Sequence, residues 1–318
     1  MMMGARVASR HMDIGIIGAG AIGSYYAGAL SRAGHRVRLH ARGEQLSAVR
    51  AHGLEIRSLD ESFVAHPDAV ADSDGLGTLD CVFVAVKGYS LDEVAPLVAA
   101  AAQRGAMIIP LLNGVDAAER LERNGVPRTS VVGGLCAISV FRTAPGVVER
   151  RSTFNRVTVG EFDGRGSGRV KSIVEALNGA GFEAAVSNEI TRDLWRKFSM
   201  IVPMSVACGL SRTSMGPVQA TDGGRMILQR SLNELVAVSR AAGPDSALAD
   251  DDEARTLRGL LNTNAAIMPS FLHDLVKGGP TEVETLMGTV SRLGRNLGVA
   301  TVVNDVATAA FVAATTTA

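Results

Sequence analysis

Cysteine is scarce in this chain: three in 318 residues, at Cys81, Cys136 and Cys208, far apart. None forms a C-x-x-C pair or stands near a histidine at metal-ligand spacing. This argues against a disulfide framework and a zinc site, and it fits a reducing compartment. Charge of one sign is also missing. Lys+Arg and Asp+Glu both number 32, so nothing argues for a nucleic-acid groove and there is no acidic tail for a disordered partner segment. Long apolar runs are absent too. The stretch from Met107 to Leu112 has the length of a core strand, far short of a membrane-spanning helix. Residues 1–11 carry Arg6 and Arg10 without the apolar core of a secretory signal. They are expected to be part of a disordered leader, residues 1–12, and the cytoplasm is the expected location.

What is present suits a folded enzyme. Hydrophobic residues make up 47% and charged residues 20%, and the length allows two compact domains or one large one. In the first half, short apolar runs alternate with helical segments. Asp13–Ile17, Arg36–His40, Cys81–Val86 and Ala106–Leu111 are predicted as strands, and Ile22–Ala33 as a helix ended by Gly34. Such alternation implies right-handed crossovers and a doubly wound parallel sheet. Val131–Ser139 and Arg156–Gly160 read as later strands joined through a turn at Ala144-Pro145-Gly146, followed by a helix over Arg165–Asn178 and a strand at Glu183–Val186. From Ile190 onward helical periodicity takes over, broken at Gly209, Met215-Gly216-Pro217, Gly243-Pro244 and Gly278-Gly279-Pro280. The expected organisation is a Rossmann-type domain over 13–188 and an all-helical domain over 189–318. The Ala/Thr-rich end, Ala313–Ala318, is expected to fray.

Gly18-Ala19-Gly20-Ala21-Ile22-Gly23 is a G-x-G-x-x-G element between the first strand and the first helix. In that setting the glycines permit a tight turn, close approach of a pyrophosphate, and close helix–strand packing, with the helix N-terminus facing the anion. A dinucleotide is therefore the expected ligand. The second strand runs into His40-Ala41-Arg42 with no carboxylate before Glu44. An acidic residue there would hold the ribose 2′-hydroxyl of NAD, whereas Arg42 is placed to meet a 2′-phosphate, which favours NADPH. Taken alone, Arg42 would read as a solvated loop charge.

Lys87 and Asn113 follow two of the strands, at the ends where ligands bind in open α/β sheets. Each also has a plain reading, as a solvated loop residue and as half of an Asn-Gly turn. Lys197 shares a helix face with Ile190, Leu194, Ile201 and Cys208. Such a face desolvates the ammonium and suits a proton donor, but a lysine that snorkels at a domain edge has the same pattern. Pro203 is expected to kink this helix. Thr281-Glu282-Val283-Glu284 reads as a capping box with Glu282 at its first position, a structural role.

Together these residues resemble the ketopantoate reductase family from about Asp13 to Asp305. The resemblance rests on Gly18–Gly23, Arg42-Gly43-Glu44, Val86-Lys87, Leu112-Asn113-Gly114, Leu194-Trp195-Arg196-Lys197, Pro269-Ser270, Thr281-Glu282 and Gly298–Asp305. It implies a Rossmann domain followed by a helical domain like that of 6-phosphogluconate dehydrogenase, with reduction of ketopantoate to pantoate, a step of pantothenate biosynthesis. Lys197 falls on the family's catalytic lysine, Glu282 on a glutamate near it, and Asn113 on the asparagine beside nicotinamide and substrate. Ser270 corresponds to a substrate-binding serine, Arg42 to the 2′-phosphate arginine, Lys87 to a lysine lining the cofactor cleft, and Ser139 to a strand end near the nicotinamide. Where the family carries three substrate asparagines, this chain has Ile201, Ser205 and Ile267, which implies a drier pocket poorer in hydrogen-bond donors. The expected partner is a small 2-oxo acid, with no nucleic acid and no membrane, and a homodimer stays open. The same chemistry on a more apolar 2-oxo acid or ketone is the first rival; a non-catalytic NADP sensor is the second.

Overall fold

A computed structural model describes residues 11–316, so the expected leader lies outside the described residues except for His11 and Met12. Met12 is already part of the core, and its carbonyl accepts from Arg36 N–H at 3.0 Å. The ordered chain therefore begins before Asp13. At the other end the helix Val302–Thr316 continues through the Ala/Thr stretch expected to fray, and residues 317–318 lie outside the description.

The chain divides into two units. The first holds most of residues up to Ile190; the second begins at Thr191 and also takes in the short segments Lys87–Tyr89 and Asn113–Asp116.

In the first unit, five parallel strands form a sheet in the order Asp68–Val70, Arg36–His40, Asp13–Ile17, Cys81–Val84, Met107–Pro110. Helices cover both faces of such a sheet, so its strands can be apolar throughout rather than alternating. Cys81–Val84 and Met107–Pro110 are buried at every position. From Asp13–Ile17 the next sequential strand lies on one side and Cys81–Val84 on the other. That reversal is the switch point at which doubly wound sheets open a crevice at the strands' carboxyl ends.

Two smaller sheets complete the unit. One has the order Phe63–Ala65, Leu54–Arg57, Val147–Arg150, Val140–Ala144; the other Glu183–Val186, Arg156–Gly160, Gly133–Ala137. The turn at Ala144-Pro145-Gly146 is present, but it closes a hairpin between Val140–Ala144 and Val147–Arg150. It does not join Gly133–Ala137 to Arg156–Gly160, which pair directly as antiparallel neighbours. The first helix, Ala21–Arg32, turns Tyr25 and Tyr26 inward onto Phe182, at ring-centroid distances of 5.7 and 4.5 Å.

The second unit is helical: Ile190–Ser211, Met215–Ala220, Asp222–Ala241, Asp250–Asn262, Ser270–Lys277, Met287–Leu297 and Val302–Thr316. The long helix Ile190–Ser211 runs unbroken through Pro203. Trp195, Phe198, Val202 and Val206 on it join Leu232, Leu235, Phe271 and Phe311 in one core. Glu234 accepts from the N–H groups of Val303 and Asn304 and from the Asn304 amide. It thereby caps the last helix from a neighbour, offsetting donors that a helix start leaves open. Among the described residues no helix is long and apolar enough to cross a membrane.

Candidate active site

The phosphate loop begins where Asp13–Ile17 ends. Gly18 has φ +108°, a left-handed conformation that suits glycine. A Cβ there would stand 2.8 Å from the backbone of Ala85, at the end of the adjacent strand. A Cβ on Gly23 would stand 1.9 Å from the Gly18 carbonyl oxygen. Around Gly20, by contrast, a Cβ would meet nothing within 4 Å. Gly20 is also the N-cap of Ala21–Arg32, and no side chain caps that helix. Two of the glycines are thus required by packing, and the middle one opens onto free space before uncapped backbone donors. This cradle fits a pyrophosphate, because close approach and helix-terminal N–H groups are what an anion needs.

The difference between the glycines sets an expectation. Gly20→Ala should leave thermal stability nearly unchanged and weaken binding of the reduced dinucleotide by about tenfold or more, as loss of close backbone approach implies. Gly23→Ala should lower the melting temperature by several degrees, the response to overpacking of about 1–3 kcal/mol. A melt and a fluorescence titration of both variants check this; equal melting losses would remove the distinction.

Arg42 is the N-cap of Gly43–His52 and is exposed, and its guanidinium pairs with Glu93, on the helix Leu91–Gln103. Beside it His40 is buried and held by the Ala71 carbonyl. Burial lowers the His40 pKa, and the Arg42 charge adds to that. Ser139 is half-buried, its N–H donating to Ser152 Oγ at 3.0 Å.

Lys87 and Asn113 lie at the ends of strands of the first unit, yet both fall in the segments grouped with the second. Lys87 Nζ donates to Asp274 at 2.8 Å and to Glu282 at 3.1 Å, and the next N–H, of Gly88, donates to Glu282 at 3.2 Å. A Cβ on Gly88 would be 2.0 Å from Thr285 Oγ1, and one on Gly114 would be 3.2 Å from Thr285 Cγ2. The segments carrying Lys87 and Asn113 are therefore gathered on the same short stretch, 282–285. Burial alone would lower the Lys87 pKa, but the carboxylates of Glu282 and Asp274 outweigh it and hold it above the ordinary lysine value. Lys87 stays charged and neutralised.

The capping box expected at Thr281 is absent. Residues 282–286 form successive turns, and the helix starts at Met287 with Leu286 as N-cap. Glu282 is 2% exposed rather than solvated at a helix start. Its inward bonds to Lys87 and Gly88 take the carboxylate away from any capping role. Nor does a hydrogen bond or ion pair join it to Lys197. The lysine that Glu282 holds is Lys87.

Lys197 sits half-buried on Ile190–Ser211, with no hydrogen-bond or ion-pair partner among the described residues. Leu194 and Ile201, one turn on either side of it, are half-buried, and Ser205 one turn further is buried. Its neighbour Arg196 is occupied otherwise, bonding Asp252 at 3.0 Å and Asp193 at 2.9 Å. Burial of Asp252 would raise its carboxyl pKa, but the Arg196 bond and the Ala249 N–H outweigh that and lower it. So the pair ties Ile190–Ser211 to Asp250–Asn262 and fixes the helix that carries Lys197. Ser270 is exposed as the first residue of its helix, and Ile267 is 39% exposed. Sequence reasoning missed Asp274, Asp252 and Glu93. For Asp274 a signal existed, since it stands one helical turn after Ser270 on the same face.

A Rossmann sheet with an open phosphate loop is the frame of a dinucleotide-binding protein. The comparisons with known proteins narrow this. Residues 14–164 match the family model "Ketopantoate reductase PanE/ApbA", and residues 189–314 match its C-terminal counterpart. The chain is 30% identical to a 2-dehydropantoate 2-reductase of Halobacterium salinarum over 291 residues, covering 91% of this chain and 94% of that protein. An uncharacterised oxidoreductase of Bacillus subtilis is 29% identical over 285 residues, covering 90% and 93%. The crystal structure of a 2-dehydropantoate 2-reductase from Geobacter metallireducens superposes with a TM-score of 0.86 at 26% identity, over 95% of this chain and 99% of that one. The chain belongs to the ketopantoate reductase family, oxidoreductases that act on CH–OH groups.

Proposed function

We propose that the protein reduces the keto group of a small 2-oxo acid with NADPH, taking 2-dehydropantoate to pantoate, with Lys197 as the proton donor. The observation that carries this reading is the contrast between two lysines. Lys87 is neutralised by two carboxylates, whereas Lys197 is half-buried with no hydrogen-bond or ion-pair partner among the described residues. A half-buried ammonium with no counter-charge beside it is free to take a bound anion or carbonyl as its partner. Reduced nicotinamide supplies the hydride for the carbonyl carbon. Lys197 Nζ hydrogen-bonds the carbonyl oxygen and transfers its proton as that oxygen gains charge. Ser270 and Asn113 hold the substrate, and Ile201, Ser205 and Ile267 border it. Glu282 keeps Lys87 and its loop in place, with Ser139 lining the cofactor side. The cofactor itself is held by Gly18–Gly23, and Arg42 binds the 2′-phosphate. A second reading keeps this chemistry on a more apolar 2-oxo acid, favoured by two isoleucines where amides would hold a hydroxyl.

The cofactor part of the reading is tested by titration. NADPH should bind at least about tenfold more tightly than NADH, since a charge-assisted arginine–phosphate pair contributes a few kcal/mol. Arg42→Ala should erase most of that difference. Equal affinities in the wild type, or no loss for NADPH in the variant, would contradict it.

A further inference from the structure

The ion pair between Arg42 and Glu93 has a bearing on cofactor choice that rests on the reading of Arg42 as the 2′-phosphate ligand. Both side chains are exposed, 61% and 58%, and each comes from the first turn, or its cap, of a different helix. Glu93 is an unusual partner. A carboxylate in a helix's first turn is stabilised by that helix's own N-terminus, yet here it reaches across to the guanidinium at the end of the strand Arg36–His40. A guanidinium presents a planar fork of donors suited to one carboxylate or one phosphate face at a time. We propose that Glu93 is a specificity-determining residue that occupies Arg42 as an internal substitute for the 2′-phosphate, so that NADPH must displace it on binding while NADH need not.

The direction of the effect follows from charge. A phosphate monoester carries more negative charge than a carboxylate and wins the exchange, but it gives up the pre-existing pair. The released Glu93 carboxylate then lies near a dianion of like sign, which costs further. Both consequences weaken NADPH and leave NADH, which has a ribose hydroxyl at that position, unaffected. The pair narrows the preference for NADPH. Asp72, at the end of the neighbouring strand, is a further carboxylate acting on this corner through His40, and it stays in place when Glu93 is changed.

The test is fluorescence titration of NADPH and NADH on the full chain as wild type, Glu93→Gln, Arg42→Ala and the double variant. Glutamine keeps the size and removes the charge. For Glu93→Gln the expected result is NADPH binding about three- to tenfold tighter with NADH unchanged, the range that an exposed pair plus a nearby like charge supports. In the Arg42→Ala background the same substitution should give a smaller gain. Unchanged or weaker NADPH binding in Glu93→Gln, with Arg42→Ala still lowering NADPH affinity, overturns the role of Glu93 alone. If Arg42→Ala has no effect on NADPH, the phosphate assignment itself fails. Equal shifts for both cofactors would reveal a general change in the fold or crevice and also count against the proposal.

Discussion

Replacing Lys197 by alanine is expected to lower kcat by about 10²–10⁴-fold on the best substrate while leaving NADPH affinity nearly intact, the magnitude typical of a lost general acid. The separation of the two effects follows from placement. Lys197 lies on Ile190–Ser211 in the second unit, whereas the phosphate loop and Arg42 belong to the first. The loss should be kinetic rather than structural, because the helix is fixed by the buried Trp195 and Phe198 and by the Arg196–Asp252 pair. Among the described residues Lys197 makes no hydrogen bond or ion pair whose removal would loosen it. Near wild-type kcat in the variant, measured with the melting temperature unchanged, would end the assignment.

The second large effect concerns substrate choice. If Ile201, Ser205 and Ile267 line the proposed pocket, they cannot replace all the hydrogen bonds that three amides would make there. A buried hydroxyl of ketopantoate with fewer partners costs about 1–3 kcal/mol per unsatisfied group, or about ten- to a hundredfold in kcat/KM where no water compensates. Ketopantoate should therefore be turned over more slowly than an analogue with an apolar group in place of its hydroxymethyl. Ile201→Asn combined with Ile267→Asn should narrow that gap. The two positions differ in environment: Ile201 packs against the helical core, and Ile267 is 39% exposed. The amide at position 201 is thus the one expected to carry more of the change. A clear wild-type preference for ketopantoate would show that its hydroxyl is recognised by other residues.

The sequence shows the middle of the parallel sheet clearly, because Asp13–Ile17, Cys81–Val84 and Met107–Pro110 are buried nearly throughout and written as largely apolar runs. Asp13–Ile17 and Arg36–His40 have the bounds that their pattern predicts. The short strands Leu54–Arg57, Phe63–Ala65 and Asp68–Val70 were illegible, since a run of three or four residues is too short to separate a strand pattern from loop. The phosphate loop is legible for a different reason. Local geometry alone demands its glycines, so no distant partner has to be known. Glu282 is the opposite case. Its neighbours spell a capping box, and only contacts to Lys87 and Gly88, far away in sequence, draw it inward. Long-range charge pairs of this kind, with Arg42–Glu93 and Lys87–Asp274 among them, leave no periodic trace in a single sequence.

The most direct measurement of the central claim is NADPH oxidation by the wild-type protein, followed by absorbance against a panel of 2-oxo acids that includes ketopantoate and analogues with apolar groups at its branch. The expected result is saturable turnover of at least one 2-oxo acid, formation of the matching 2-hydroxy acid in equal amount to the NADPH consumed, and collapse of that turnover in Lys197→Ala. Tight NADPH binding with no oxidation by any member of the panel would contradict it, and would leave a protein that senses the cofactor without using it.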